Sequence, residues 1–387
     1  MTGPQILISA GEASGDLHAG RLAAALRERT GAVLFGLGGE HMREAGVELI
    51  AESREVSVLG ITEILHRLPQ LRRVFRKLLE ETERRRPALA ILVDFPGFHL
   101  RLARRLKARG VPNIYFITPQ FWAWRPWRVR LVRQRFELAL CIFPFELEFF
   151  RKAGVNAEFI GHPLAGAVRP SMSRAEFAAR WGLDAARPIL ALLPGSRPRE
   201  VAQHLPVLLE ACRRIASGRD VQFVLAAAPG MTAADFGPAV AGTAARVVEN
   251  ATYDALAAAD AAVVSSGTAT VEAALLGVPM VVVYRVSRAT AWLAKPLVRT
   301  KYFAMPNLIA GRRVVPELIQ NDFTAEAVAR EAGRLLDSAD ARAAMKQGLA
   351  EVETRLRAPS GDAISRAAEL IAKFIENHAT PGTKVPS

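Results

Sequence analysis

Short uninterrupted apolar runs recur along the chain, separated by longer stretches in which apolar residues fall at helical spacing. In the first half Ile6–Ala10, Val33–Phe35, Leu89–Val93, Asn113–Ile117 and Leu138–Phe143 read as strands. Runs of this kind, apolar throughout rather than alternating, suit strands buried on both faces of a parallel sheet. The second half repeats the rhythm at Pro188–Leu193, Gln222–Ala226, Arg246–Val248, Ala261–Val264 and Met280–Tyr284, without visible repetition of sequence. Strand and helix alternate throughout, which predicts an α/β chain of doubly wound parallel sheets, a class that binds ligands beyond the carboxyl ends of its strands.

Two helical stretches carry unusual chemistry. Between Ile61 and Leu79, apolar residues including Ile64, Leu65, Leu68, Leu71 and Phe75 share a stripe, with Arg72, Arg73 and Arg76 among them. Pro69 predicts a pair of short helices there. Such a stripe ordinarily packs on a sheet; with this charge it also suits an element resting on an anionic bilayer. From Thr118 to Arg135 three of the five tryptophans stand beside five arginines. That mixture suits base stacking, or burial of a lipid-linked sugar under a phosphate clamp.

The length of 387 residues suits two domains. The balance of 51 Lys+Arg against 38 Asp+Glu leaves +13, compatible with phosphorylated small molecules, anionic headgroups or nucleic acid. Cys141 and Cys212, far apart in apolar patterns, give neither metal spacing nor a disulfide framework. A basic start followed by a long apolar run is missing, as is any stretch of about 18 apolar residues, which predicts a cytosolic chain without a spanning segment.

The candidate site residues sit where strands end. After Ala261–Val264 come Ser265, Ser266, Gly267 and Thr268, small residues opening a helix whose free N–H groups and dipole suit a phosphate. Glu272 lies early in that helix. Ala269, three residues earlier, cannot form a capping box with it, so its carboxylate is left for vicinal hydroxyls or for offsetting the dipole. Ser196 reads as an N-cap and Pro198 as a first-turn residue, whereas Arg197 puts a cation at the positive helix end and asks for an anion, most simply a diphosphate. Further on, the run 305–320 reads as a polar loop around Asn307 and a short helix on which Glu317 and Gln320 share a face.

In the first half the turn 11–16 lacks both dinucleotide and P-loop spacings. Its Glu12, Ser14 and Asp16 suit sugar or amine donors, with helix capping the ordinary role of Asp16. Asp94 follows its strand directly, before Pro96 and Gly97, where a turn residue or a general base is expected. His162 stands in Gly161–Leu164, which reads as the join between domains, and titrates in a catalytic range unless it is a hinge residue.

Taken together, GEASGD at 11–16, PQFWAWR at 119–125, IGHPL at 160–164, LLPGSR at 192–197, SSGTATVEA at 265–273 and PNLIAGR at 306–312 resemble the lipid-A-disaccharide synthase family. The resemblance implies two Rossmann-like domains facing a cleft, the GT-B glycosyltransferase arrangement. Residues 1–168 would be the acceptor and membrane-docking domain and 169–355 the UDP-sugar-binding domain. The segment 356–387 would be a helix packing back on the first domain or on a partner, with its final residues frayed. It further implies an inverting, β-1,6-forming transfer from UDP-2,3-diacylglucosamine to lipid X, with Asp94 as base. Arg197, Ser196, Ser266, Gly267, Thr268, Glu272, Asn307 and Gln320 would hold the donor nucleotide, and Glu12, Ser14, Asp16, Trp124, Arg125 and His162 would face sugar or acceptor. Neither metal nor cofactor is expected. The anionic inner-membrane surface, met through Ile61–Leu79 from the cytoplasmic side, and a homodimer exchanging C-terminal segments complete the partners. One departure is local: the family often carries a second carboxylate and an amide where this chain has Gly97 and His99. Two other readings compete. A UDP-sugar epimerase shares the two-domain form but needs little membrane surface, and a basic nucleic-acid-binding protein would leave the helix-start motifs without a use.

Overall fold

The computed structural model describes residues 3–56, 61–123, 125–240, 243–287 and 300–379. Trp124 and the tail 381–387 lie outside them, as do the side chains of Ile64 and Leu65. The chain divides into two compact units, Met1–Pro163 with Leu356–Ser387, and Leu164–Arg355.

The first unit runs β1 (Gln5–Ala10), α1 (Ala13–Thr30), β2 (Val33–Gly38), α2 (Glu40–Glu44), β3 (Glu48–Glu52), α3 (Ile61–Arg85), β4 (Leu89–Val93), α4 (Pro96–Lys107), β5 (Asn113–Phe116), α5 (Val129–Arg135), β6 (Leu138–Cys141), α6 (Pro144–Lys152) and β7 (Ala157–Phe159). Its seven strands are parallel in the order β3-β2-β1-β4-β5-β6-β7. The winding therefore reverses between β1 and β4, which opens a crevice at their carboxyl ends.

The second unit runs α7 (Arg174–Trp181), β8 (Ile189–Leu193), α8 (Pro198–Ala216), β9 (Gln222–Ala226), β10 (Ala245–Val248), α9 (Thr252–Ala258), β11 (Ala261–Ser265), α10 (Thr268–Leu275), β12 (Met280–Tyr284), α11 (Met305–Ala310), β13 (Glu317–Ile319), α12 (Ala325–Asp337) and α13 (Ala339–Leu356). Its parallel order is β10-β9-β8-β11-β12-β13, with the matching reversal between β8 and β11. A final helix, α14 (Ala363–Ala379), belongs to the first unit.

The continuous apolar runs are buried on both faces, as parallel strands require: Leu89–Val93 and Ile189–Leu193 are buried at every position. One face of the first sheet packs under α3 and α4 through Leu7, Leu92, Val74, Leu78, Leu102 and Leu106. The opposite face joins Ile6, Ile8 and Ile91 to Leu22 and Leu26 of α1 and to Ala367, Ala368 and Ile371 of α14.

Two element readings change. Pro69 does not divide the basic stripe: α3 is one helix of 25 residues with the proline inside. A proline there forfeits a backbone hydrogen bond and costs about 3 kcal/mol, which the burial of Val74 and Leu78 offsets. Leu71 and Phe75, expected to meet a bilayer, pack instead against that core, Phe75 edge-on to Phe98 at 5.5 Å. Arg72, Arg73 and Arg76 remain exposed, while Leu68 is half-buried. Further on, Glu317 begins a strand paired with β12, and the helix of that region lies earlier, at Met305–Ala310.

Candidate active site

In the first sheet the register pairs Ala10 with Val93, so Gly11–Glu12 and Asp94–Phe95 leave their strands side by side in the β1/β4 crevice. Asp94 and Phe95 both adopt left-handed backbone, at φ 44 and 46. Two consecutive non-glycine residues in that region are strained, and strain held by surrounding structure is typical of functional elbows. Three contacts hold it here. His99 Nδ1 lies 2.8 Å from the Asp94 carbonyl, and Tyr115 Oη donates to the same oxygen at 3.1 Å. Gly11 leaves room for the Phe95 ring, which a Cβ at that position would meet at 2.4 Å.

Since a carbonyl only accepts, His99 carries its proton on Nδ1, and Ser9 Oγ donates to Nε2 at 2.8 Å. Burial holds the imidazole neutral, with its pKa lowered to about 4. The Asp94 carboxyl is half-buried, and desolvation first, then the charge of Glu12, pushes its pKa up to about 6. It is thus a carboxylate poised to take a proton near neutrality. Glu12 is the N-cap residue of α1 but makes no side-chain capping bond, and it and Ser14 are exposed. Both are open to a ligand.

Asp16 is used differently. It is 4% exposed, and its carboxylate accepts the backbone N–H groups of Gly39 at 2.5 Å, His41 at 3.0 Å and Met42 at 3.3 Å. It caps α2, whose own N-cap residue, Gly39, has no side chain. His162 is also withdrawn. It is 5% exposed and tilted against Phe143, and burial first and His18 second lower its pKa to about 3. The catalytic titration range expected for it does not hold. The aromatic loop after β5 is anchored by Glu146, which accepts from Thr118 Oγ1 and Trp122 Nε1, each at 3.1 Å, and whose pKa burial raises to about 7. Arg125, half-buried at φ 61, ends that loop.

In the second unit the register pairs Leu193 with Val264, so the loop Pro194–Arg197 and the turn Ser265–Gly267 flank the β8/β11 crevice. The N-cap residue of α8 is Arg197, not Ser196, and no side chain caps the helix. The Ser196 N–H is taken by Glu200 at 3.1 Å, because Gly195 at φ 136 lets that side chain close in. Arg197 is 75% exposed and its nearest acid, Glu200, is 3.7 Å away. Such a pair is weak, so the cation stays available at a helix start.

Gly267 precedes α10 without a capping side chain, leaving the amides of Thr268 and Ala269 uncapped, while the Ser266 hydroxyl donates to Phe303 O at 2.9 Å. Ser265 Oγ is buried without a partner at the strand end. Glu272 is half-buried and accepts one bond, from Tyr253 Oη at 3.0 Å. Desolvation raises its pKa and that bond opposes the rise. Its remaining lone pairs can receive hydroxyl donors.

Asn307 and Gln320 serve their own loops. Asn307 is fully buried, and its amide makes the four hydrogen bonds it can make, to Val314, Val315 (twice) and Glu317. Gln320, at φ 55, turns its amide to the Val286 backbone. Sequence reading missed His204, which is buried and joins Pro194 O at 2.6 Å to the Arg285 N–H at 3.0 Å, tying the PGSR loop to the end of β12. It also missed the Ser9–His99 link. Among the described residues no group of three or more His, Cys, Asp or Glu gathers to hold a metal ion. A cleft of 460 Å³ lined by Arg27, Gly31 and Val33 lies at the amino end of β2, away from the β1/β4 crevice.

A family model described as lipid-A-disaccharide synthetase matches residues 6–373. The chain is 48% identical to a lipid-A-disaccharide synthase of Solibacter usitatus, covering 97% of this chain and 99% of that protein. It is 44% identical to one of Myxococcus xanthus, covering 96% and 98%. Among solved structures it is similar to a putative UDP-N-acetylglucosamine 2-epimerase of Listeria monocytogenes, with TM-score 0.64 and 15% identity over 99% of this chain and 100% of that one. A calicheamicin glycosyltransferase gives TM-score 0.61 and 17% identity over 98% and 100%. At these identities both likenesses are of fold: two Rossmann-like α/β domains, as found in GT-B glycosyltransferases and epimerases.

Proposed function

This chain belongs to the lipid-A-disaccharide synthase family, and on that premise we propose that it moves a 2,3-diacylglucosamine residue from its UDP ester onto the 6-hydroxyl of 2,3-diacylglucosamine 1-phosphate, lipid X. The products are a β-1,6-linked disaccharide 1-phosphate and UDP, with inversion at the anomeric carbon. The observation that carries the reading is the Asp94–Phe95 elbow, a strained strand end bearing a carboxyl whose pKa is about 6.

Asp94 takes the acceptor hydroxyl proton. The freed oxygen bonds to the anomeric carbon as the bond to the diphosphate oxygen breaks, and that electron pair leaves with UDP. Charge on the departing diphosphate is met by Arg197 and by the uncapped amides that open α10. Glu272 receives hydroxyls of the nucleotide sugar, and Glu12 and Ser14 those of the acceptor. The step as written uses no metal, and the UDP-sugar is a substrate rather than a cofactor.

Because both substrates are acylated, the protein works at the cytoplasmic face of the inner membrane, where the exposed arginines of α3 meet anionic headgroups. Among the described residues no helix is long and apolar enough to cross it. A homodimer is part of the same proposal; within the single chain α14 packs on its own first unit.

Labelled lipid X and its UDP-activated counterpart, incubated with the protein and a metal chelator, should yield a disaccharide separable by thin-layer chromatography. Absence of product with added divalent metal as well would refute the reaction.

A further inference from the structure

The elbow opens onto a second feature. Pro96 and Gly97, which follow Asp94–Phe95 directly, form one wall of a 530 Å³ cleft floored by Phe75, Leu100 and Leu131. Its other walls carry Arg101, Arg104 and Arg105 from α4, with Arg128 and Arg135 from the chain around α5. Among the described residues none of these five forms an ion pair. On the same face of the fold the neighbouring cations do: Lys107 meets Glu137 at 3.0 Å and Arg109 meets Glu83 at 2.6 Å.

The cleft arginines, of which Arg135 donates to the Leu100 carbonyl at 2.8 Å, also oppose one another. Burial first, then Arg125 and Arg101, lower the pKa of Arg128, and burial first, then Arg104, lower that of Arg135. Like charges gathered without a carboxylate repel one another, and a bound anion relieves that repulsion. The apolar floor, with Trp127 beside it at 59% exposure, requires that the anion's carrier be amphiphilic. Guanidinium groups match the oxygens of a phosphate. Arg101 lies five residues into a helix that begins at Pro96, about 7.5 Å along its axis, so an anion held there is separated from the elbow by roughly one sugar ring.

We propose that this cleft is the subsite for the phosphomonoester of the acylated sugar acceptor, with the hydroxyl at the far side of the same ring delivered to Asp94. This rests on the reaction proposed above and deepens it. The arginines then select an acceptor that carries phosphate, and the floor takes the start of its acyl chains.

The test is equilibrium binding of lipid X in neutral detergent micelles, compared with the same diacylated glucosamine lacking its phosphate. The expected result is that the parent protein prefers the phosphorylated ligand about tenfold or more, and that Arg101→Gln/Arg104→Gln abolishes the preference. Arg109→Gln, which removes an ion-paired cation from the same region, should keep it. Equal binding of the two ligands by the parent, or a preference undiminished in the double variant, overturns the proposal. Flotation with phosphatidylglycerol vesicles separates the other source of phosphate: a double variant that loses vesicle association but keeps its preference in micelles also overturns it, in favour of a headgroup site. Turnover is measured separately. A parent that binds with phosphate preference yet forms no disaccharide sinks the reaction and leaves the subsite standing.

Discussion

At Asp94 two demands conflict, since a carboxylate prefers water and a side chain prefers negative φ. Both are overridden, and each leaves a measurable trace. On the role proposed for Asp94 as base, turnover should rise with pH through about 6, the value to which burial and Glu12 push the group. Glu12→Gln removes one of the two causes, so the limb should move to lower pH; an unmoved limb would dissociate it from Asp94.

The same shift acts on stability. The folded chain keeps a proton on Asp94 that the unfolded chain, with the ordinary value of 3.8, releases. Stability therefore falls as pH rises from about 4 to about 6 and stays reduced above that. Asp94→Asn should abolish transfer, leave UDP binding intact, and raise the thermal midpoint at pH 8. The gain is on the order of 1 kcal/mol once solvent screening of a half-buried group is allowed for. Asparagine also tolerates left-handed φ, but that benefit is independent of pH. The charge is implicated only if the difference shrinks by pH 3.5.

In the proposed mechanism His99, fully buried, would act through Asp94 rather than on substrate. His99→Ala leaves the Asp94 carbonyl with Tyr115 alone and orphans the Ser9 hydroxyl. The expected result is a fall in kcat with the KM for the UDP-sugar unchanged, and a displaced pH limb; a loss confined to stability would assign His99 a structural role only.

Which of these residues the sequence could reveal follows from where their partners lie. Asp94, Glu12, Arg197 and the Ser266 turn follow strands directly, and strand ends are legible from the apolar runs. His99 and His204 bridge residues 90 and 81 positions away, and such spacing leaves no local pattern. Asp16 and Asn307 look like ligand-binding groups in a linear reading because their acceptors and donors are backbone groups supplied by folding.

Among the elements, the central strands are legible, and of the four edge strands only β10 is, at Arg246–Val248. Leu89–Val93, Gln222–Ala226 and Met280–Tyr284 coincide with their apolar runs. By contrast β3, β7 and β13 carry Glu48, Glu52, Glu158 and Glu317 in short segments. Charge and brevity protect a sheet edge from further pairing, and they also erase the apolar signature. The helix α3 shows the opposite problem, one pattern serving two purposes. Among the described side chains its stripe is taken up by the core through Val74 and Leu78, and what faces solvent is mainly charge: Arg72, Arg73, Arg76 and Lys77. The membrane association proposed for it would, through these described residues, be electrostatic. Reversing Arg72, Arg73 and Arg76 to glutamate should lower recovery on anionic liposomes several-fold and leave recovery on neutral ones unchanged, with the fold intact by circular dichroism. The effect should fade in the parent protein as salt rises, because exposed charges are screened.

For the whole molecule, the division into units is less simple than two halves of a sequence. The composition and the repeated strand rhythm give two α/β bodies, but the first is discontinuous, completed by α14 after the second has been threaded. A linear reading finds a helical segment within 356–387, expected from the resemblance to pack on the first domain or on a partner, and nothing in it that names its docking face. Ala367, Ala368 and Ile371 lie at zero exposure against α1 and the sheet. Ile371→Asp should destabilise the first unit by several kcal/mol by burying an unpaired charge, and hydrogen exchange should register the loss in β1 and α1 while the second sheet keeps its protection.

This late closure has a consequence for biosynthesis. A ribosome makes β1 through β7 first, yet the part of one flank of that sheet that α1 leaves bare stays uncovered until the carboxyl-terminal helix emerges, by which time every strand of the intervening body has been released. The second body is thus free to reach its native state during translation, and the first must wait as an open sheet, the period in which a chaperone would find the nascent chain most in need of shelter.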